Sequence, residues 1–303
     1  MHDEVPVPGE IRAPVTIAAV SVGHYENFPV ASLLCPAPLR PPVRAIYRFA
    51  RTADDLADEG SAQAVERIDA LNRYRAALHA AWRGEPPSDW SHVFGLLIPV
   101  ARQHGLPLAP FDDLLDAFTQ DCDNPHYRDR DDLLDYCRRS ANPIGRLLLT
   151  LYRIDDGKSL RQSDAICSAL QLINFWQDPS VDLPRGRCYF PARDAAQHGL
   201  ALADLRAGAD TPATQALLRE LCEWAGDLMR QGAPLACRLP GRIGWELRLV
   251  IQGGLRILEK IAAMQHRTLS HRPKLASRDW LPLTWRAITM RPSPKPVAAE
   301  LSR

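Results

Sequence analysis

A chain of 303 residues, 46% hydrophobic and 24% charged, has the make-up of an ordinary globular protein long enough to bury a substantial core. A net charge of +1 and the lack of a long basic run give it no general electrostatic pull toward nucleic acid. The seven cysteines form no C-x-x-C pair and read as free thiols of a reducing compartment. The N-terminal stretch lacks a cationic start and an apolar signal core, and the longest apolar run, Val93 to Ala101, is too short to span a bilayer. The expectation is a cytoplasmic protein.

Residues 1–20 read as an irregular lead-in. A polar and aromatic cluster, His24-Tyr-Glu-Asn-Phe28, precedes a Pro-rich bend at 36–42, and Pro41 and Pro42 suit the first turn of a helix running to about Glu59. Helical periodicity follows at 62–83, 90–104, 110–122 and 129–141, and Asn142-Pro-Ile-Gly145 reads as an interruption before Arg146 to Tyr152. A long helix is expected from Ser159 to about Asp178, then a loop from Leu183 to His198, then helices near 211–232 and 242–265. No alternating strand pattern of useful length occurs. The chain reads as all-α, with one helical domain over 21–271 and a partly flexible tail over 272–303.

The stretch Tyr47 to Glu59 is the one around which a site can be built. At 3.6 residues per turn, Tyr47, Arg51, Asp54 and Asp58 share one stripe. Two carboxylates one turn apart beside a cation suit a hard divalent ion together with an anionic ligand, since Mg²⁺ prefers one or two carboxylates plus phosphate oxygens. A solvated helix face is the alternative reading. The same spacing recurs at Asp112, Asp113 and Asp116 and at Asp131, Asp132 and Asp135. The former has an apolar face that leaves its acids pointing outward, and the latter lies at a helix start, where the macrodipole favours acids. Asn174, Asp178 and Asp182 recur every four residues, placing three more oxygens along one helix face; a helix end entering a polar loop is the alternative there.

These residues carry a family likeness. His24-Tyr-Glu-Asn-Phe28, Ala45-Ile-Tyr-Arg-Phe-Ala-Arg51, Asp54-Asp-Leu-Ala-Asp-Glu59, Tyr136 through Arg146, Gln171 through Asp178 and Arg187-Cys-Tyr-Phe-Pro191 resemble the squalene and phytoene synthase family of head-to-head isoprenyl synthases, within it the bacterial hydroxysqualene synthases. The resemblance implies an isoprenoid-synthase-type helix bundle around a central cavity. It implies Asp54, Asp58, Asn174, Asp178 and Asp182 as ligands of Mg²⁺, and contact of Tyr47, Arg51, Arg187 and Tyr189 with diphosphate. His24 matches a polar residue at the cavity mouth, and Tyr136 and Gln171 match residues near the reacting carbons.

Three positions depart from the family pattern. Glu26 stands where condensing relatives carry Lys, and Gln177 where many carry Arg, which suits a substrate with one diphosphate. Pro179 replaces a small aliphatic residue and disfavours helical backbone at Asp178.

The implied reaction is Mg²⁺-dependent conversion of presqualene diphosphate to hydroxysqualene with water capture and no NADPH. Glu26, Tyr136 and Gln177 are the candidates for positioning that water. The alternatives are condensation of two prenyl diphosphates, to presqualene diphosphate, squalene or phytoene, and a non-catalytic prenyl-diphosphate binder. Trp82, Trp90, Trp224, Trp245 and Trp280 read as packing anchors. A lipid substrate makes peripheral contact with the inner membrane face an option, through residues 33–42 or 278–291.

Overall fold

The computed structural model describes residues 35–58, 62–86, 89–123 and 125–291, and among them every regular element is helical. A short 3₁₀ turn leads into α1 (Arg40–Asp58), followed by α2 (Ala64–Arg83), α3 (Ser91–His104) and α4 (Ala109–Asp121). Next come α5 (Arg130–Ser140), α6 (Asn142–Leu151) and α7 (Gly157–Gln177), then the single turn α8 (Pro179–Asp182) and a 3₁₀ turn, Leu183–Arg185. Short helices α9 (Ala192–Gln197) and α10 (Leu202–Arg206) precede α11 (Pro212–Gly232), α12 (Pro234–Arg238), α13 (Gly241–Ala263) and α14 (Trp280–Thr289).

Local signals set these boundaries. Asp129 caps α5 and Asp156 caps α7, each accepting from the amide three residues on, and Thr211 does the same for α11. Gly84 closes α2 in the left-handed conformation, which only glycine adopts without strain. Pro143 sits in the first turn of α6, so the Asn142-Pro-Ile-Gly145 stretch starts a helix instead of interrupting one.

Two apolar clusters make up the core. One is built by α1 to α4 with α6, centred on Phe49, Tyr74, Phe94 and Phe111. The other is built by α5, α7, α11 and α13, around Leu133, Leu172, Trp176, Leu221 and Ile251. Helix α7 runs through the middle, burying residues on every side of its last three turns, from Ile166 to Gln177. The two clusters part along one end of α7, and that parting is the cavity.

Of the partly flexible tail expected over 272–303, residues 272–291 are described, and within them α14 lays Leu283 and Ala287 against α13. One expectation fails: the metal-motif stripe is not continuous. Helix α7 stops at Gln177 because Pro179 lacks an amide hydrogen and pushes Asp178 out of helical geometry, to φ −109° and ψ 17°. The expected lead-in at 1–20, and positions 24 and 26, lie outside the described residues.

Candidate active site

A cavity of about 730 Å³ opens between the clusters. Helix α1 supplies Arg51, Asp54 and Asp58 to one wall, and α7 supplies Gln171 and Asn174 to the facing one. Asp182 on α8 and Arg187 and Tyr189 on the following loop complete that second wall. Tyr136 on α5 lines the interior. Thus Arg51, Asp54, Asp58, Tyr136, Gln171, Asn174, Asp182, Arg187 and Tyr189, all singled out by sequence, converge on one space.

Three others do not line it. Asp178 is fully buried and gives both carboxylate oxygens to Arg272, at 2.5 Å to Nε and 2.9 Å to Nη2. Gln177 is buried too, its amide donating to the carbonyl of Pro273 at 2.8 Å. Both side chains turn toward the 267–275 segment. Tyr47 is half-buried on the α1 stripe without lining the described cavity. His24 lies outside the described residues.

Three charged lining residues were not foreseen. Asp121, at the end of α4, accepts a hydrogen bond from the Tyr136 hydroxyl at 2.9 Å. It stands three residues after Phe118, on the face that buries Phe111, Leu114 and Leu115, so a carboxylate on an apolar stripe was the available signal. Arg67 and Arg185 add two cations that no local pattern marks.

The electrostatics are those of carboxylates crowded out of water. Burial pushes Asp54 up to about 6, with Arg51 pulling it back and Asp58 adding to the rise. Burial raises Asp182 to about 7, helped by the neighbouring Asp178 and opposed by Arg187. Asp121 also rises to about 7 through burial, restrained by its bond from Tyr136. Arg187 answers this field: it donates to Asp58 across the cavity and also feels Asp121 and Asp182. Arg51 is held at 3.1 Å from Asp54 and 2.7 Å from Asp55.

The lining also has an aromatic and apolar part. Tyr189 stacks on Phe175 with ring centroids 3.7 Å apart and planes within 10°, and Tyr136 lies 6.3 Å from Tyr189. Phe118, Ile144, Cys167 and Leu170 continue the wall. Cys167 and Leu170 also border a second, apolar cavity of about 120 Å³ between α6, α7 and α13.

The other acidic triplets point elsewhere. Asp112 meets His79 at 2.8 Å and Asp116 meets Arg75 at 2.5 Å, whereas Asp132 pairs with Arg128, just before α5, and Asp135 with Arg138 on the surface of α5. Among the described residues no three His, Cys, Asp or Glu side chains close on one another as a ready-made metal cage. The donor set still suits a hard cation: Asp54, Asp58, Asn174 and Asp182 all line the cavity and all offer oxygen. Mg²⁺ takes few protein ligands and completes its shell with water and phosphate oxygens.

The family model for squalene/phytoene synthase matches residues 22–279. The chain belongs to the squalene/phytoene synthase family. It is an enzyme of this family. The hydroxysqualene synthase of Zymomonas mobilis is 36% identical over 234 residues, covering 75% of this chain and 76% of the relative. The phytoene synthase of Thermus thermophilus is 30% identical over 278 residues, covering 90% and 92%. The crystal structure of squalene synthase HpnC from Alicyclobacillus acidocaldarius superposes with a TM-score of 0.74 at 37% identity, over 80% of this chain and 90% of that one. The helical bundle is therefore that of this family.

Proposed function

We propose that this synthase converts presqualene diphosphate and water to hydroxysqualene, releasing diphosphate and a proton. The observation that carries the reading is that one cavity combines arginines and carboxylates with a stacked aromatic pair and apolar side chains. Such a space fits an amphiphile with one diphosphate and long hydrocarbon arms. Similarity to hydroxysqualene synthases over three quarters of the chain supports it.

Arg51 and Arg187 bind the diphosphate and stabilise charge on its oxygens as the C–O bond breaks and the group departs with the electron pair. Mg²⁺ held by Asp54, Asp58, Asn174 and Asp182 would supply Lewis-acid stabilisation of the same leaving group. The cyclopropylcarbinyl cation left behind lies against Tyr136, Phe175 and Tyr189, whose ring faces attract positive charge. The surrounding Phe118, Ile144 and Leu170 exclude bulk water during rearrangement.

One water then adds its oxygen to the rearranged cation and loses a proton. Of the groups considered for this step, Gln177 is engaged by Pro273 and Glu26 lies outside the described residues. Tyr136 lines the cavity bonded to Asp121. Among the described residues, the Tyr136–Asp121 pair is our assignment for holding the water and taking up its proton. No hydride enters this balance.

Condensation of two prenyl diphosphates is the second reading. Arg67 and Arg185 favour it, since they add cations for a second diphosphate; the neutral and occupied Gln177 argues against it. Diphosphate release from presqualene diphosphate, with and without a chelator, is the test. Metal-dependent release is expected, and none in the presence of Mg²⁺ would overturn the reading.

A further inference from the structure

Helix α14 is apolar on two faces, and among the described residues only one of them is covered. Leu283 and Ala287 are buried against α13, whereas Trp280, Leu281, Trp285 and Ile288 are 53%, 82%, 66% and 52% exposed. Leu281, Trp285 and Ile288 follow one another at spacings of four and three, so they form one stripe pointing away from the protein, with Trp280 beside it. Scattered exposed hydrophobes need no explanation, but four large ones on a ten-residue helix do.

The charges around this stripe have one sign. Lys274, Arg278 and Arg291 are exposed at its two ends. The only acid between 272 and 291 is Asp279, which is 1% exposed and held by Arg256 and Lys260 at 2.8 Å and 2.7 Å. Glu259, the nearest acid on α13, is taken up by Arg256 and Arg286. The helix therefore offers apolar and indole side chains flanked by cations, with its acids neutralised from behind.

The geometry points to docking of α14 on an anionic lipid bilayer surface, with the helix lying in the plane of the interface. Indole rings partition to the headgroup level, Leu and Ile enter the acyl boundary, and basic flanks pair with anionic headgroups. A second copy of the chain fits less well, because a two-fold contact through this stripe sets Arg278 and Arg291 of one copy near the same cations of the other. No helix among the described residues is long and apolar enough to cross a membrane, so the attachment is superficial and reversible. Docking stands apart from the reaction proposed above, although a lipid substrate gives it a use.

The full chain is sedimented with vesicles of phosphatidylcholine containing phosphatidylglycerol, and with phosphatidylcholine alone. Wild type is expected to pellet with the anionic vesicles, less so as salt rises. Leu281→Glu/Ile288→Glu, at exposed positions that leave the fold intact, is expected to weaken binding about tenfold or more. Arg278→Ser/Arg291→Ser is expected to lower both binding and its salt dependence. A readout that needs no charged substitution uses brominated acyl chains: they quench wild-type tryptophan fluorescence, and Trp280→Leu/Trp285→Leu removes most of that quenching. Wild type remaining in the supernatant, unquenched, overturns the proposal. So does equal pelleting of Leu281→Glu/Ile288→Glu, or a wild-type dimer that this variant splits, which would make the stripe a contact between copies.

Discussion

Arg187, on the loop after α8, donates to Asp58 in the last turn of α1, so the two walls of the cavity are joined by one ion pair. The guanidinium is mostly buried and lies within the fields of Asp58, Asp121 and Asp182. It is a cation held ready by carboxylates until an anionic ligand competes for it. Removing one preorganised donor to a developing anion costs about 10²–10³ in rate. Arg187→Ala is expected to lower kcat by about that factor in steady-state diphosphate-release assays. Arg187→Lys should recover part of the loss, since it keeps the charge and loses the fork.

The Asp178–Arg272 pair predicts a split between stability and catalysis. Breaking a buried ion pair by removing one partner costs about 3–5 kcal/mol. Asp178→Asn is therefore expected to lose much of its stability in urea denaturation even with chelator present. Asp54→Asn, on the cavity wall, is expected to stay within about 1 kcal/mol of wild type under the same conditions while losing metal-dependent turnover. Equal stability of Asp178→Asn and wild type would mean that Arg272 is not its partner in solution.

Buried carboxylates that line a cavity also fix the pH dependence of folding. Asp54, Asp121 and Asp182 stand at about 6, 7 and 7, above the ordinary value of about 4. A raised acid binds its proton more tightly folded than unfolded, so its contribution is full below about pH 4 and is lost as pH rises through about 7. Chelator-treated protein should be less stable at about pH 8 than at about pH 5, by of order 1 kcal/mol per group. Mg²⁺ should restore stability at the higher pH, because it binds the folded state. Stability that climbs with pH across that window would contradict this electrostatic picture.

Tyr136 and Asp121 should act as a unit. If the pair holds the attacking water, Tyr136→Phe and Asp121→Asn each slow hydroxysqualene formation by about 10²–10⁴, and the double variant is little worse than either. Diphosphate release should fall less than alcohol formation, with the difference appearing as other hydrocarbons in a gas-chromatographic product profile.

The sequence was most legible where chemistry follows local periodicity. Arg51, Asp54 and Asp58 recur at helical spacing on one continuous helix, and Asn174 lies on the cavity face of α7. Asp178 obeys the same spacing, yet its direction is decided by Pro179 next to it and by Arg272, 94 residues further on. The proline was visible in the sequence; the partner that captures the displaced carboxylate was not. Asp121 lines the cavity beside Tyr136 only because α4 packs against α5, a tertiary fact, although a carboxylate three residues after Phe118 on an apolar stripe hinted at it.

Helix α14 was missed because Pro282 and the basic residues around it resemble a solvated tail, while Leu283 and Ala287 bury against α13. Of the five tryptophans expected to anchor the packing, Trp245 and Trp280 are instead exposed, and among the described residues the helix that carries Trp280 is covered on one side alone.

The most direct test of the proposed reaction is product analysis of the purified protein with Mg²⁺, supplied separately with presqualene diphosphate and with farnesyl diphosphate. Hydroxysqualene from presqualene diphosphate without NADPH, and nothing from farnesyl diphosphate, is the predicted result. Presqualene diphosphate made from farnesyl diphosphate would contradict it and place Arg67 and Arg185 at a second diphosphate.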